Sequence, residues 1–65
     1  MKPTFEVWYY DDNDVVKDVS DTFDTYNQAL THAKKTLTAD DYGYVVERKP
    51  LAKVVGKTKI IVTKA

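Results

Sequence analysis

The stretch FEVWYY at residues 5–10 decides how this 65-residue chain folds. Aromatic and β-branched side chains dominate it and a cluster of turn-forming residues follows, so we predict a β-strand over residues 4–10. Successive side chains of a strand point to opposite faces, and this strand therefore carries large side chains on both sides. A core built from so short a chain can cover only one of them.

The two faces of this strand differ in character. Phe5 and Val7 point to one side, and they are the more purely apolar pair. We therefore predict that these two side chains enter the core. Trp8 and Tyr10 then lie on a face that the fold leaves open, where rings with a polar group tolerate partial contact with water.

Three more segments are predicted to be strands. The Asp-rich cluster at residues 11–14 favours a hairpin turn, because short polar side chains bond back to their own backbone. Residues 15–19 return as an edge strand. Residues 42–48 (YGYVVER) form the third strand, which Pro50 ends because proline has no N–H for a central ladder. The last strand is predicted at residues 58–64, after a shorter extended piece.

One helix is predicted at residues 26–38. Thr25 is its N-cap, and Gln28 three residues later completes a capping box. His32 lies on the flank of this helix and is predicted to be a solvated surface imidazole. The apolar residues form one stripe, with small members in the middle that let the helix approach a sheet closely. They are Tyr26, Ala29, Leu30, Ala33 and Leu37.

The order strand, strand, helix, strand, strand predicts one α+β domain over residues 1–65. We expect a small two-layer ββαββ domain, with an antiparallel or mixed sheet and the helix packed on one face. Two layers leave the second face of the sheet uncovered. The open face with Trp8 and Tyr10 follows from this architecture.

The composition argues against an enzyme. The chain has no Cys, one His and one Ser, so the usual nucleophile, base and orienting acid cannot be assembled. Residues 11–22 depart from the spacing of a calcium-binding loop, and we expect neither a metal nor a cofactor. No stretch is long and apolar enough to span a membrane, and a cytoplasmic location is expected.

Charge is unevenly distributed along the sequence, although the net charge is zero. Residues 1–24 carry two lysines against seven carboxylates, a net charge of −5, and residues 25–65 carry eight basic against three acidic side chains, a net charge of +5. If the fold keeps these halves apart, the molecule is a dipole that can orient toward a charged partner or stack on itself. If they interleave, the asymmetry only balances charges inside the molecule.

Protein association is the function that these features favour. Trp8 and Tyr10 are candidate aromatic anchors, and Asp11, Asp12 and Asp14 are a candidate acidic rim around them. The expected partner is another protein or a second copy of the chain, which would make a homodimer or a homo-oligomeric structural protein. The competing interpretation is that Trp8 belongs to the core of the monomer.

A nucleic-acid-binding or nucleotide-binding protein is the alternative. Tyr42 and Tyr44 could stack on bases, while Arg48, Lys49 and Lys53 hold phosphates. The zero net charge and the Asp-rich first half count against it, and the chain has none of the common nucleic-acid-binding motifs.

A short aromatic strand that ends in YYDDND, a capped helix TYNQALTHAKK and the strand YGYVV stand together in this chain. In this combination the sequence resembles small accessory proteins encoded by bacteriophages and prophages. The resemblance implies a non-enzymatic protein in the host cytoplasm that binds and inhibits a host enzyme or defence component. It implies no particular site residue.

Overall fold

Five strands and one helix make up the part of the chain that the structure, a computed structural model, describes: residues 2–38, 40–57 and 59–62. In chain order the elements are β1 (Glu6–Tyr10), β2 (Val16–Val19), α1 (Tyr26–Thr36), β3 (Tyr42–Glu47), β4 (Lys49–Val55) and β5 (Lys59–Val62). The fold is α+β, as predicted.

The strands form one sheet in the order β2-β1-β3-β4-β5, and every neighbouring pair is antiparallel. β1 therefore lies between β2 and β3, and the chain passes from β2 to β3 through α1 on one face of the sheet. The helix contacts β1 and β3. As predicted, β2 is an edge strand, and β5 forms the opposite edge.

The predicted ββαββ order is wrong by one strand, since the structure has the order ββαβββ. The segment predicted as a short extended piece is the full strand β4, which pairs with both β3 and β5. Pro50 lies inside β4, opposite Val46, where the register between β3 and β4 shifts. Proline is tolerated at such a bulge because the hydrogen-bonded ladder is already interrupted there. The strand predicted at residues 58–64 is β5, and residues 58, 63 and 64 lie outside the described residues.

The core lies between α1 and the face of the sheet that it covers. Phe5 and Val7 are buried there, as predicted, together with Tyr9. Ala29 and Ala33 of α1 are completely buried, so the small residues of the predicted stripe do bring the helix axis close to the sheet. Leu37, Val45, Ala52 and Val54 complete the buried apolar set.

The predicted turn and helix cap are both present. The Asp11 carboxylate accepts hydrogen bonds from the backbone N–H groups of Asn13 and Val15, at 2.9 and 3.1 Å. Thr25 and Gln28 form the reciprocal capping box. The helix ends at Thr36 rather than at residue 38, because the next residue has an extended backbone.

Two side-chain contacts fix the edge strand and the end of the helix. The Lys17 Nζ of β2 lies 2.7 Å from Asp41 Oδ2, just before β3. The hydrogen bond from Lys17, with a second from Thr38, lowers the pKa of the Asp41 carboxyl, and the same contact raises the pKa of Lys17. The Tyr9 hydroxyl lies 2.8 Å from Thr36 Oγ1 and joins β1 to the last turn of α1.

Candidate functional site

The face of the sheet opposite α1, here called the open face, carries aromatic side chains on its two central strands. Trp8 of β1 stands opposite Tyr44 of β3, and Tyr10 stands opposite Tyr42. Directly opposite residues of an antiparallel pair point to the same side, so all four rings share this face. Each of the four is only partly buried.

Three of these rings pack on one another and are called the tyrosine cluster. Tyr10 and Tyr42 are stacked, with ring centroids 5.3 Å apart and planes within 4° of parallel. Tyr44 meets both rings edge to face, at 5.3 Å from Tyr10 and 6.2 Å from Tyr42. Offset-stacked and edge-to-face pairs are the arrangements that aromatic quadrupoles favour, so the cluster holds its rings in place without a helix above it.

Charged groups fix the position of Tyr42 within the cluster. Its hydroxyl donates a hydrogen bond to the carboxylate of Asp14 in the β1–β2 turn. This bond to a negative acceptor, with partial desolvation, raises the pKa of Tyr42 to about 12, so the phenol stays protonated and donating at neutral pH. Lys53 Nζ of β4 lies 4.3 Å from the centroid of the Tyr42 ring, a cation–π contact.

A groove of about 580 Å³ runs along the open face beside the cluster. Trp8 forms part of its wall, and the Trp8 Nε1–H donates a long bond of 3.4 Å to Glu6. The remaining residues of the wall come from β1, the β1–β2 turn, β3, the β3–β4 hairpin and β4: Tyr10, Asp14, Tyr42, Tyr44, Val46, Arg48, Pro50 and Lys53. The groove is therefore aromatic in the middle, with a carboxylate in its wall as well as two cations.

Arg48 lies at the tip of the β3–β4 hairpin and has a left-handed backbone, with φ of 61°. A non-glycine residue rarely adopts this conformation, which costs an ordinary side chain about 1 kcal/mol. Its side chain is exposed and reaches the groove wall. Arg48 is thus a cation held at the groove on a backbone that glycine would adopt more easily.

The structure brings together the two residue sets that the sequence presents as alternatives. Trp8, Tyr10 and Asp14 line the same groove as Tyr42, Tyr44, Arg48 and Lys53. The wall does not include Asp11, Asp12 or Lys49. The Asp11 carboxylate bonds to the backbone of its own turn. Val46 and Pro50 are groove residues that the sequence analysis did not single out, because the pairing of β3 with β4 was not foreseen.

Exposed aliphatic side chains extend the open face to both edges of the sheet. Val16 and Val19 of β2 are 42% and 41% exposed and stand opposite Tyr10 and Trp8. Ile61 of β5 is 43% exposed and stands opposite Lys53. The apolar surface is therefore wider than the groove and reaches all five strands.

The sheet separates the acidic and basic parts of the chain. The acidic β1–β2 turn, with Asp11, Asp12 and Asp14, lies at one side of the sheet. β4, β5 and the described part of their turn form the other side, where every charged residue is a lysine: Lys49, Lys53, Lys57 and Lys59. The charge asymmetry of the sequence is therefore a dipole across the width of the sheet.

The opposite side of the molecule offers less chemistry. His32, predicted to be a solvated surface imidazole, is partly exposed, and its ring lies 5.1 Å from that of Phe23. Within residues 2–38, 40–57 and 59–62, no three His, Cys, Asp or Glu side chains are grouped in a way that could hold a metal ion. The helix of this described part is too short to cross a bilayer.

Comparisons of the chain with protein-family models, with curated proteins and with solved structures found no match.

Proposed function

We propose that this protein is a non-enzymatic binding module that works by docking its open face on another polypeptide. The observation that carries the proposal is the tyrosine cluster beside Trp8, a set of large rings that no element of the described chain covers. By analogy with the phage accessory proteins that the sequence resembles, such a module would inhibit a host protein by stoichiometric binding.

The open face has the composition of a binding hot spot. Trp, Tyr and Arg are the residues that most often dominate binding energy, and here Trp8, Tyr44 and Arg48 line one groove. The contacts within the tyrosine cluster already restrict its rings, so less side-chain entropy is lost when a partner arrives. Asp14 and Lys53 hold Tyr42 from two sides and add to this preorganisation.

Nucleic-acid binding has one observation in its favour, because the structure places Arg48 and Lys53 beside aromatic rings. The geometry of Tyr42 argues against it. Tyr10 stacks on this ring and Lys53 lies over it, so little of the ring remains for a base. Asp14 in the same groove would also repel phosphates. Binding to a polypeptide is therefore the better-supported function.

Affinity capture from a lysate tests the proposal with matched variants. Trp8→Ala removes the half-buried ring, and Arg48→Gly removes the guanidinium without straining the backbone. Lys35→Ala, on the exposed side of α1, is the control on the other face. We expect the wild type and the control to capture the same protein and both open-face variants to lose it.

Circular dichroism and thermal melts on the same preparations separate lost binding from lost structure. Equal capture by all folded variants would refute a role for the open face. If Trp8→Ala unfolds, Arg48→Gly still decides the question. Captured material that disappears on nuclease treatment, with a steep loss of affinity in salt, would identify the nucleic-acid alternative instead.

A further inference from the structure

We infer that a second copy of this chain covers the open face until another polypeptide displaces it, packed sheet on sheet about a two-fold axis that lies between the sheets and runs parallel to the strands. The inference rests on the proposed function, because it names the partner of the same face. It follows from the order of side chains across the sheet, from the distribution of charge and from the extent of the apolar surface.

Side chains that stand opposite one another on neighbouring strands form a row from one edge of the open face to the other. One such row is complementary to the same row read in the opposite direction. The register aligns them from edge to edge as Val19, Trp8, Tyr44, Lys53 and Ile61. A two-fold axis along β3 reverses this row in the second copy. Val19 then meets Ile61, Trp8 meets Lys53, and Tyr44 meets its own counterpart. The first two meetings are favourable, since aliphatic packs on aliphatic and the Trp8 ring packs on the apolar stem of Lys53, whose ammonium stays over Tyr42.

The next row repeats this complementarity nearer the acidic turn. It reads Val16, Tyr10, Tyr42, Val55 and Lys59 across the sheet. The two-fold axis reverses this row in the second copy, so that Val55 meets Tyr10. Lys59 then lies over Val16 of β2, next to the acidic β1–β2 turn. In the two rows together, the Trp8 and Tyr10 rings of one copy contact the apolar stem of Lys53 and the Val55 side chain of the other.

Charge selects this axis from the two that a face-to-face dimer allows. An axis across the strands would place β2 on β2 and β5 on β5, so that the acidic half of the sheet meets the acidic half and the basic half meets the basic half. An axis parallel to the strands places β2 over β5. The acidic turn then faces Lys57 and Lys59 of the second copy, which favours association. A net charge of zero adds no overall repulsion between copies.

The size of the apolar surface suits a sheet better than a peptide. A peptide in the groove would leave Val16, Val19 and Ile61 in water, whereas a second five-stranded sheet reaches all three. Five strands with about five residues each span roughly 24 by 17 Å. This flat area of roughly 400 Å² is about half of the 800 Å² that each partner buries in a standard interface, so the dimer belongs to the class of small interfaces. A domain of this size without disulfides also gains stability from association.

Two charge-reversal variants test the partner and the axis together. Asp12→Lys is suitable on the acidic side, because the Asp11 carboxylate caps its own turn and Asp14 holds Tyr42. Lys59→Glu is its counterpart on β5. Lys35→Glu, on α1, makes the same charge change away from the open face. Sedimentation equilibrium gives the dissociation constant of each protein over a range of concentrations.

We expect the mass of the wild type and of Lys35→Glu to rise with concentration from 7.4 kDa toward twice that value. Asp12→Lys and Lys59→Glu should each dimerise roughly tenfold more weakly, since two symmetric contacts become repulsive. Mixing the two variants in equal amounts should restore the affinity, because each contact of the heterodimer again joins opposite charges. The double variant in one chain should restore it as well.

A mass of 7.4 kDa at all concentrations up to the millimolar range would overturn the inference. Dimers in which mixing the variants restores nothing would overturn the axis and with it the proposed interface. Neither result touches the proposed function, which fails separately if folded open-face variants capture the same proteins as the wild type. A dimer that dissociates as the Trp8 emission shifts to the red would support both.

Discussion

Gly43→Ala should destabilise the protein by crowding the two strands that carry the aromatic rings. A Cβ at this position would lie 2.8 Å from the Trp8 carbonyl oxygen and 3.6 Å from a methyl group of Val7. Carbon–oxygen contacts across a sheet are normally about 3.3 Å or longer, so β1 and β3 would have to separate by about 0.5 Å. Both strands are central in the sheet, and the buried core lies on the same side.

The size of the effect follows from two opposing contributions. Overpacking of a well-packed site costs about 1–3 kcal/mol. Replacing glycine by alanine restricts the unfolded chain and returns about 0.4–1 kcal/mol. The midpoints of these two ranges differ by about 1.3 kcal/mol, and a fall of this size in the free energy of unfolding lowers Tm by roughly 5–10 °C in a small domain.

Urea titration with circular dichroism measures this loss for Gly43→Ala. Gly56→Ala is the comparison variant, since Gly56 has a φ of 64° and an alanine there is strained by its backbone rather than by a neighbour. An unchanged or higher stability of Gly43→Ala would refute the reasoning, because β1 and β3 would then have room that the structure does not show.

Three further predictions concern charged or strained residues. Arg48→Gly should raise the free energy of unfolding by up to about 1 kcal/mol, because glycine adopts a φ of 61° more easily; a lower Tm would contradict this. Asp41→Asn should reduce the loss of stability in acid. The lowered pKa of Asp41, which is paired with Lys17, stabilises the fold above the ordinary carboxyl pKa of about 4, and this stabilisation is lost as pH falls through the lowered pKa. Urea titrations from pH 7 to 2 would measure the difference between the variant and the wild type. Asp14→Asn should return the pKa of Tyr42 from about 12 toward 10 in an ultraviolet titration; in the wild type the raised pKa contributes stability below pH 10 that is lost as pH rises through about 12. An unchanged tyrosine titration in Asp14→Asn would exclude the Asp14 bond as the cause.

Features that depend on a few adjacent residues could be predicted from the sequence. The turn at residues 11–14 and the Thr25 cap need only side chains that bond to nearby backbone, and both are present. The faces on which the β1 side chains lie follow from the alternation of side chains along a strand. This alternation correctly predicts that Val7 faces the core and that Trp8 lies on the open face. These predictions hold because no distant part of the chain has to be known.

Features that depend on pairing between distant strands could not be predicted. β4 was missed because Pro50 reads as the end of a strand, and only the bulge opposite Val46 makes the proline acceptable. The tyrosine cluster depends on the register that sets Tyr10 beside Tyr42, thirty-two positions apart in the chain. Without this register the aromatic residues of β1 and those of β3 look like two separate sites.

The open face is a consequence of how few elements the chain has. One helix of 11 residues is about 16 Å long and about 10 Å wide, while five strands are about 24 Å wide. The helix therefore covers β1 and β3 on one face, and no element of the described residues forms a layer on the other. In the middle of that face, between the exposed aliphatic side chains of the two edges, rings that pack on one another and carry a polar hydroxyl are less costly in water than large aliphatic side chains would be.

Under the proposed function, this solution links the stability of the monomer to its binding. The contacts that let Tyr10, Tyr42 and Tyr44 remain half exposed are the same contacts that hold them ready for a partner. Substitutions within the tyrosine cluster should therefore weaken folding and binding together. Substitutions at Arg48 or Asp12, which are exposed at turns, should change binding without a loss of stability. Such a contrast, when measured, would support the proposal that the open face is a binding surface rather than an incomplete core.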